Sequence, residues 1–106
     1  MTDYYTEANW SLIPDHMHGA VKRYVMNGIG PGSFLTAVLS GAPLTEVAGR
    51  ADDENQRALV GWAKFLYNDM PSGAHGSEAR VTAWIKSGGI LGQQQSHETA
   101  ERVAAS

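Results

Sequence analysis

The chain has 106 residues, 42% hydrophobic, 8% aromatic and 18% charged, and contains no cysteine. This length holds one domain with a single modest core, burying roughly 60–65% of the surface its unfolded chain exposes. The composition excludes a wholly disordered chain, and apolar runs such as Ala58-Leu59-Val60 fall far short of the ~20 residues a membrane span needs. The absence of cysteine excludes disulfides, thiolate nucleophiles and cysteine-based zinc sites. It agrees with a cytoplasmic protein, and no segment has the layout of a signal peptide.

The net charge of −3 sits in the tails, where Asp3, Glu7, Glu98 and Glu101 face Arg102. Residues 11–90 hold seven acids and seven bases, so the expected folded part is neutral. Duplex DNA binders usually carry a basic surplus, so duplex DNA is not an expected partner.

The expected fold is all-α, with four to five short helices joined by glycine and proline turns over residues 11–90. Residues 1–10, with Tyr4, Tyr5 and Trp10, read as a polar arm. Residues 91–106 read as a polar tail, with at most a frayed helix over Glu98–Ala105. A first helix is predicted from Pro14 to Asn27, with Gly28 as its left-handed stop. A second runs from Ser33, read as its N-cap, to Ser40, with Gly41 beyond. A short third spans Leu44 to Arg50 after Pro43. The fourth is predicted as one long helix from Asp52 to Tyr67, with Asp52, Asp53 and Glu54 at its positive end. The fifth runs from Ser77, its cap, to Ser87, before Gly88-Gly89. Trp62 and Trp84 lie at helical spacing with other apolar residues and read as core.

Two stretches carry candidate chemistry. In Gly28-Ile29-Gly30-Pro31-Gly32-Ser33-Phe34-Leu35-Thr36, glycines lead into a helix start, a place that favours phosphate. Gly32, Ser33, Phe34 and Thr36 are the candidate ligand residues; the run also reads as an ordinary capped turn. It lacks the lysine of a Walker loop. The second stretch is the polar loop from Tyr67-Asn68 through His75 to Ser77. If both stretches lay at one end of the bundle, their N–H groups would converge on one ligand, with Tyr67 stacking on a base. Arg23 and Tyr24 of the first helix complete the candidate set. Arg50, Arg57 and Lys64, spaced by seven, would share a helix face if the third and fourth helices were continuous or aligned. His16 and His18, two apart, suit no helical zinc pair, and neither a metal nor a cofactor is expected. No nucleophile elbow or acid–base pair is present, so no enzymatic activity is expected.

The run Gly28-Ile29-x-Pro31-Gly32-Ser33-Phe34-Leu35-Thr36-Ala37-Val38-Leu39 resembles a signature of small proteins encoded by many bacteriophages and prophages. The wider pattern includes Ile13-Pro14, Met17, Gly19 and Tyr24, then Arg50-Ala51-Asp52 and Asn55, Leu66-Tyr67-Asn68, Pro71, Gly76-Ser77, Trp84 and Gly88-Gly89. The chain departs from it at Gly41-Ala42-Pro43-Leu44, where the family often has Asn-Asp-Leu, and near His75, where it often has an aromatic residue or cysteine. The resemblance implies a counter-defence protein of the host-cell cytoplasm. Its size and expected chemistry are similar to those of oligomeric sponges that sequester the nucleotide signals of CBASS or Thoeris immunity. The expected partner is then a cyclic oligonucleotide or ADP-ribose-type signal, enclosed between subunits of a dimer or tetramer and left uncleaved. The alternatives are an adaptor that binds and blocks a host defence protein and, more weakly, a helix-turn-helix regulator.

Overall fold

A computed structural model describes residues 8–93, which are helical and contain no strand. Tyr4, Tyr5 and the Glu98–Ala105 segment lie outside the described residues. Six α-helices follow in order: α1 (His18–Asn27), α2 (Ser33–Ser40), α3 (Leu44–Arg50), α4 (Asp53–Arg57), α5 (Leu59–Asp69) and α6 (Glu78–Ser87). Single 3-10 turns precede α1 at Trp10–Leu12 and Asp15–Met17, and another joins α5 to α6 at Ser72–Ala74. None of the described helices is long and apolar enough to cross a membrane.

Glycine and proline set most boundaries. Gly28, Gly41 and Gly88 end α1, α2 and α6 in the left-handed conformation, at φ 68°, 76° and 78°, which costs an L side chain about 1–2 kcal/mol. Asp52 caps α4 by accepting the Asn55 N–H at 2.8 Å, and Ser77 caps α6 by accepting the Arg80 N–H at 3.1 Å. The helix start at Ser33 differs from the expectation. Gly32 is the capping residue there and offers no side chain, while Ser33 is the first helical residue.

The predicted long fourth helix is two. The chain breaks at Ala58, whose φ of −98° and ψ of 10° leave the helical region. Alanine is the best helix former, so local propensity does not make this break; tertiary contacts do. Trp62 is fully buried and donates its indole N–H to Asn55 Oδ1 across the break at 3.0 Å. Gly61 is pressed against the Trp10–Leu12 turn so closely that a Cβ would lie 1.9 Å from the Leu12 carbonyl oxygen. The bend lets α5 meet both.

The core gathers Val21, Tyr24, Val25, Leu35, Leu39, Trp62 and Phe65, all fully buried. Phe34 meets Trp62 edge to face, with ring centres 5.6 Å apart. Trp84 is buried and donates to the Tyr24 carbonyl at 3.0 Å, while the Tyr24 hydroxyl donates to the Ala74 carbonyl at 2.6 Å. These two bonds tie α1, α6 and the turn between α5 and α6 together. Gly28 and Gly89 complete the junction backbone to backbone: a Cβ on Gly89 would lie 2.6 Å from the Val25 carbonyl oxygen.

Two boundaries move. Trp10 belongs to the fold and not to an arm, because its ring lies 5.3 Å from Phe65 and beneath the Lys22 ammonium at 5.1 Å. The folded part also runs past residue 90: residues 89–93 form a last helical turn, with Ile90 and Leu91 against the core.

Gly61→Ala is expected to lower unfolding stability by about 1–3 kcal/mol, the usual range for overpacking, because backbone stands where the methyl must go. Gly49, in α3 with open space around it, is the internal control. Gly49→Ala is expected to gain up to about 1 kcal/mol from helix propensity. Urea titration followed by circular dichroism reads both.

Candidate functional site

The two glycine-rich stretches do not converge. Gly32 and Ser33 form the N-terminal end of α2. The Gly76 N–H donates to the Leu39 carbonyl at 2.8 Å, which fixes the His75–Ser77 loop at the other end of the same helix. Eight residues of α-helix separate the two ends by roughly 12 Å. A cradle built from both therefore does not exist within one protomer.

The remaining candidate residues scatter accordingly. Tyr24 is wholly buried, its hydroxyl used inside the core, and burial pushes its pKa up to about 12. It offers no surface to a ligand. Arg23 is exposed on α1 and folds back along it, so that a Cβ on Gly19 would meet its Nη1 at 3.0 Å. Tyr67 is 88% exposed at the end of α5, and the Asn68 side chain is turned onto its own helix, donating to the Lys64 carbonyl at 3.0 Å. Ser77 uses its hydroxyl oxygen as the α6 cap. His75 is held below its ordinary pKa, first by partial burial and then by the neighbouring Arg80 guanidinium. Arg50, Arg57 and Lys64 lie on three separate helices, so no continuous helix carries them as a row, and Arg50 pairs with Glu46 at 3.1 Å.

A site does take shape at the start of α2. A hollow of about 280 Å³ opens there, lined by Gly32, Ser33 and Phe34 together with His16, Arg50, Asp52 and Asn55. The N–H groups of Ser33, Phe34 and Leu35 precede the first intrahelical bond, from Thr36 N–H to the Gly32 carbonyl, and no side chain caps them. Such N–H groups bring the positive end of the helix dipole to the surface. Thr36 is at this end too, but its hydroxyl donates to the Pro31 carbonyl at 3.2 Å.

Asn55, like His16, Arg50 and Asp52, lines the hollow without standing among the candidate ligand residues of the sequence. It is 2% exposed. Its Oδ1 is committed to Trp62, because an indole N–H only donates. The amide is thereby oriented, and its Nδ2 has no hydrogen-bond partner among the described residues. No fully buried side-chain nitrogen or oxygen is left unpaired among the described residues, and Asn55 is part of the lining of the hollow.

The electrostatics are mixed. His16 Nε2 lies 2.9 Å from Asp52 Oδ2, and its Nδ1 lies 3.7 Å from Glu54. Asp53 and Glu54 line an adjoining shallow hollow with His16 and Asp52. The Asp52 carboxyl is held below its ordinary pKa, first by the Asn55 backbone N–H and also by His16. Among the described residues, no group of three or more His, Asp or Glu side chains is placed to hold a metal ion. What the hollow offers is hydrogen-bond donors for oxygen atoms.

A second hollow, of about 200 Å³ and largely apolar, lies between α3 and α5, with Val38, Leu44, Val47, Leu59, Trp62 and Leu66 in its lining. Leu44 on its rim is 70% exposed.

A depressed carboxyl contributes stability above the ordinary carboxylate range, and that contribution is lost as the pH falls through its folded pKa. From about pH 5 downward, the wild-type melting temperature is expected to fall more steeply than that of Asp52→Asn, which still caps α4 but does not titrate. Thermal unfolding across a pH series measures the difference in slope. No known protein family, curated protein or solved structure matches this chain.

Proposed function

We propose that this chain is a non-catalytic protein that binds and sequesters a phosphorylated small molecule at the start of α2. The observation that carries the reading is the uncapped start of α2 at a hollow that Asn55, Arg50 and His16 also line. Each donor there is fixed by the fold before a ligand arrives, so little ordering entropy is lost on binding. The hollow sets the uncapped helix start beside an exposed His16–Asp52 pair, and we read it as a holding site.

Its size narrows the ligand. Sites for drug-sized molecules usually enclose about 300–1,000 Å³, so 280 Å³ takes a phosphate with part of a ribose and leaves the base outside. A whole cyclic oligonucleotide or ADP-ribose-type signal would need a second protomer to cover the rest, which is why we propose a homo-oligomer. With the resemblance to small phage proteins, the function proposed is counter-defence in the host cytoplasm, by sequestering a nucleotide immune signal without cleaving it.

A protein-binding adaptor is the second reading. The apolar hollow between α3 and α5, with Leu44 exposed at its rim, favours it.

A thermal-shift screen of the purified protein against cyclic di- and trinucleotides and ADP-ribose derivatives, beside its solution mass, tests the reading. A ligand at a hundred times its Kd stabilises by about 2.7 kcal/mol, which moves the melting temperature several degrees. The shift is expected in the wild type, with the ligand recovered intact on heat release. It should vanish in Ser33→Asp, whose carboxylate suits the first turn of α2 but occupies the hollow. No shift with any nucleotide would overturn the proposal in favour of the adaptor.

A further inference from the structure

We propose that the face formed by α3 and α5 is where a second copy of this chain docks, making the protein a twofold-symmetric dimer. This face is distinct from the start of α2, and the inference does not rest on the ligand reading.

The sequence of α5 is apolar on more sides than its core contacts use. Trp62 and Phe65 are the side chains it buries. One flank, with Leu59, Ala63 and Leu66, lines the apolar hollow of about 200 Å³ that Leu44 and Val47 of α3 close from the other side. Val60, Ala63 and Tyr67 are spaced by three and four, which sets them in one line along the helix. Leu44 is 70% exposed, Val60 71% and Tyr67 88%, and no other large apolar side chain among the described residues is as exposed. Ala63 belongs both to the line and to the lining, so the exposed side chains and the hollow make one continuous surface.

Area and charge together name the occupant. The surface carries protruding side chains and a hollow side by side. An isologous contact joins one patch to its own copy, so Tyr67 of each protomer can enter the hollow of the other. Leu44, Val60 and Tyr67 present roughly 300–400 Å² per protomer, and two copies cover about twice that. Leu59, Ala63, Leu66 and the apolar stem of Lys64 carry the contact past the ~1,000 Å² that a specific interface needs. Lys64 is exposed beside the apolar line and has no ion-pair partner among the described residues. The acid of α3 is Glu46, exposed and held by Arg50 at 3.1 Å. A twofold arrangement that lays each α5 over the other protomer's α3 sets Lys64 beside the partner's Glu46, twice per dimer. A partner with a strongly charged face fits poorly, because the surface between these two residues is apolar.

Sedimentation equilibrium of the purified full chain, from about 1 to 100 μM, is expected to reach twice the protomer mass of 11.4 kDa. Tyr67→Glu is expected to weaken association by about tenfold or more, as loss of a central aromatic anchor does. Ile29→Glu adds the same charge at an exposed position between α1 and α2 and is expected to leave association unchanged. Lys64→Glu is expected to weaken it severalfold, and Glu46→Lys in the same chain to restore it. All four positions are exposed, and circular dichroism checks that each variant is folded. A monomer across the whole range would overturn the inference and leave the face to a protein of another kind. A dimer that Tyr67→Glu does not weaken, or that Ile29→Glu weakens equally, would overturn it too. A double variant no tighter than Lys64→Glu alone would overturn the placing of α5 over the other protomer's α3.

Discussion

The indole N–H of Trp62 is the constraint from which the rest of the site follows. Trp62 sits at the centre of the core, against Phe34 and Phe65. An indole buried this deeply must find an acceptor, because an unpaired buried donor costs about 1–3 kcal/mol. Asn55 supplies it from beyond the α4–α5 break. Asn55 gives its side-chain oxygen to the core, and the Asp52 cap holds the Asn55 backbone in place. The orientation of this amide is therefore set by a demand of the interior. No ligand contact has to orient it.

The same helix that provides one wall of the hollow also keeps the molecule's two loops apart. Eight residues of α2 stand between Ser33 and the turn held by Gly76. His75 and Ser77 consequently serve structure: one is half-buried beside Arg80, and the other caps α6. Tyr24, at the crossing of α1, α6 and the Ser72–Ala74 turn, is fastened at both its hydroxyl and its carbonyl. Charge is distributed in the same economical way. Most acids near the hollow are engaged with a histidine, an arginine or a helix start, leaving a surface that is polar without a strong field of either sign.

Much of this was legible in the sequence where punctuation is local. Gly28, Gly41 and Pro43 mark their boundaries through backbone chemistry alone, and α1 and α2 end and α3 begins where those residues place them. The break at Ala58 was not legible, because alanine carries no trace of a contact made by Gly61 with a turn some fifty residues earlier. Trp10 was misread for a related reason. Its neighbours are polar, and the rings it packs on come from α1 and α5. At the site, Gly32, Ser33 and Phe34 announced themselves by glycines ahead of a helix. His16, Arg50, Asp52 and Asn55 did not, since they reach the hollow from three other parts of the chain. The one local clue was an asparagine seven residues before a tryptophan, just behind an aspartate cap.

The junction of Gly28 with Gly89, and of Tyr24 with Trp84, also bears on how the chain is made. The bond from Trp84 to Tyr24 spans 60 residues, and that from Tyr24 to Ala74 spans 50. On the ribosome, α1 emerges early and has nothing to close against until the far end of the domain is synthesised. At roughly 5–20 residues per second, that wait lasts about 3–13 s. The early helices are short, and isolated helices of this length are marginal in water. The nascent chain thus carries Val21, Tyr24 and Val25 uncovered for seconds before one late, cooperative closure. A translation pause placed between α2 and α6 would prolong that exposure, making the rhythm of synthesis a determinant of how much folded protein the cell recovers.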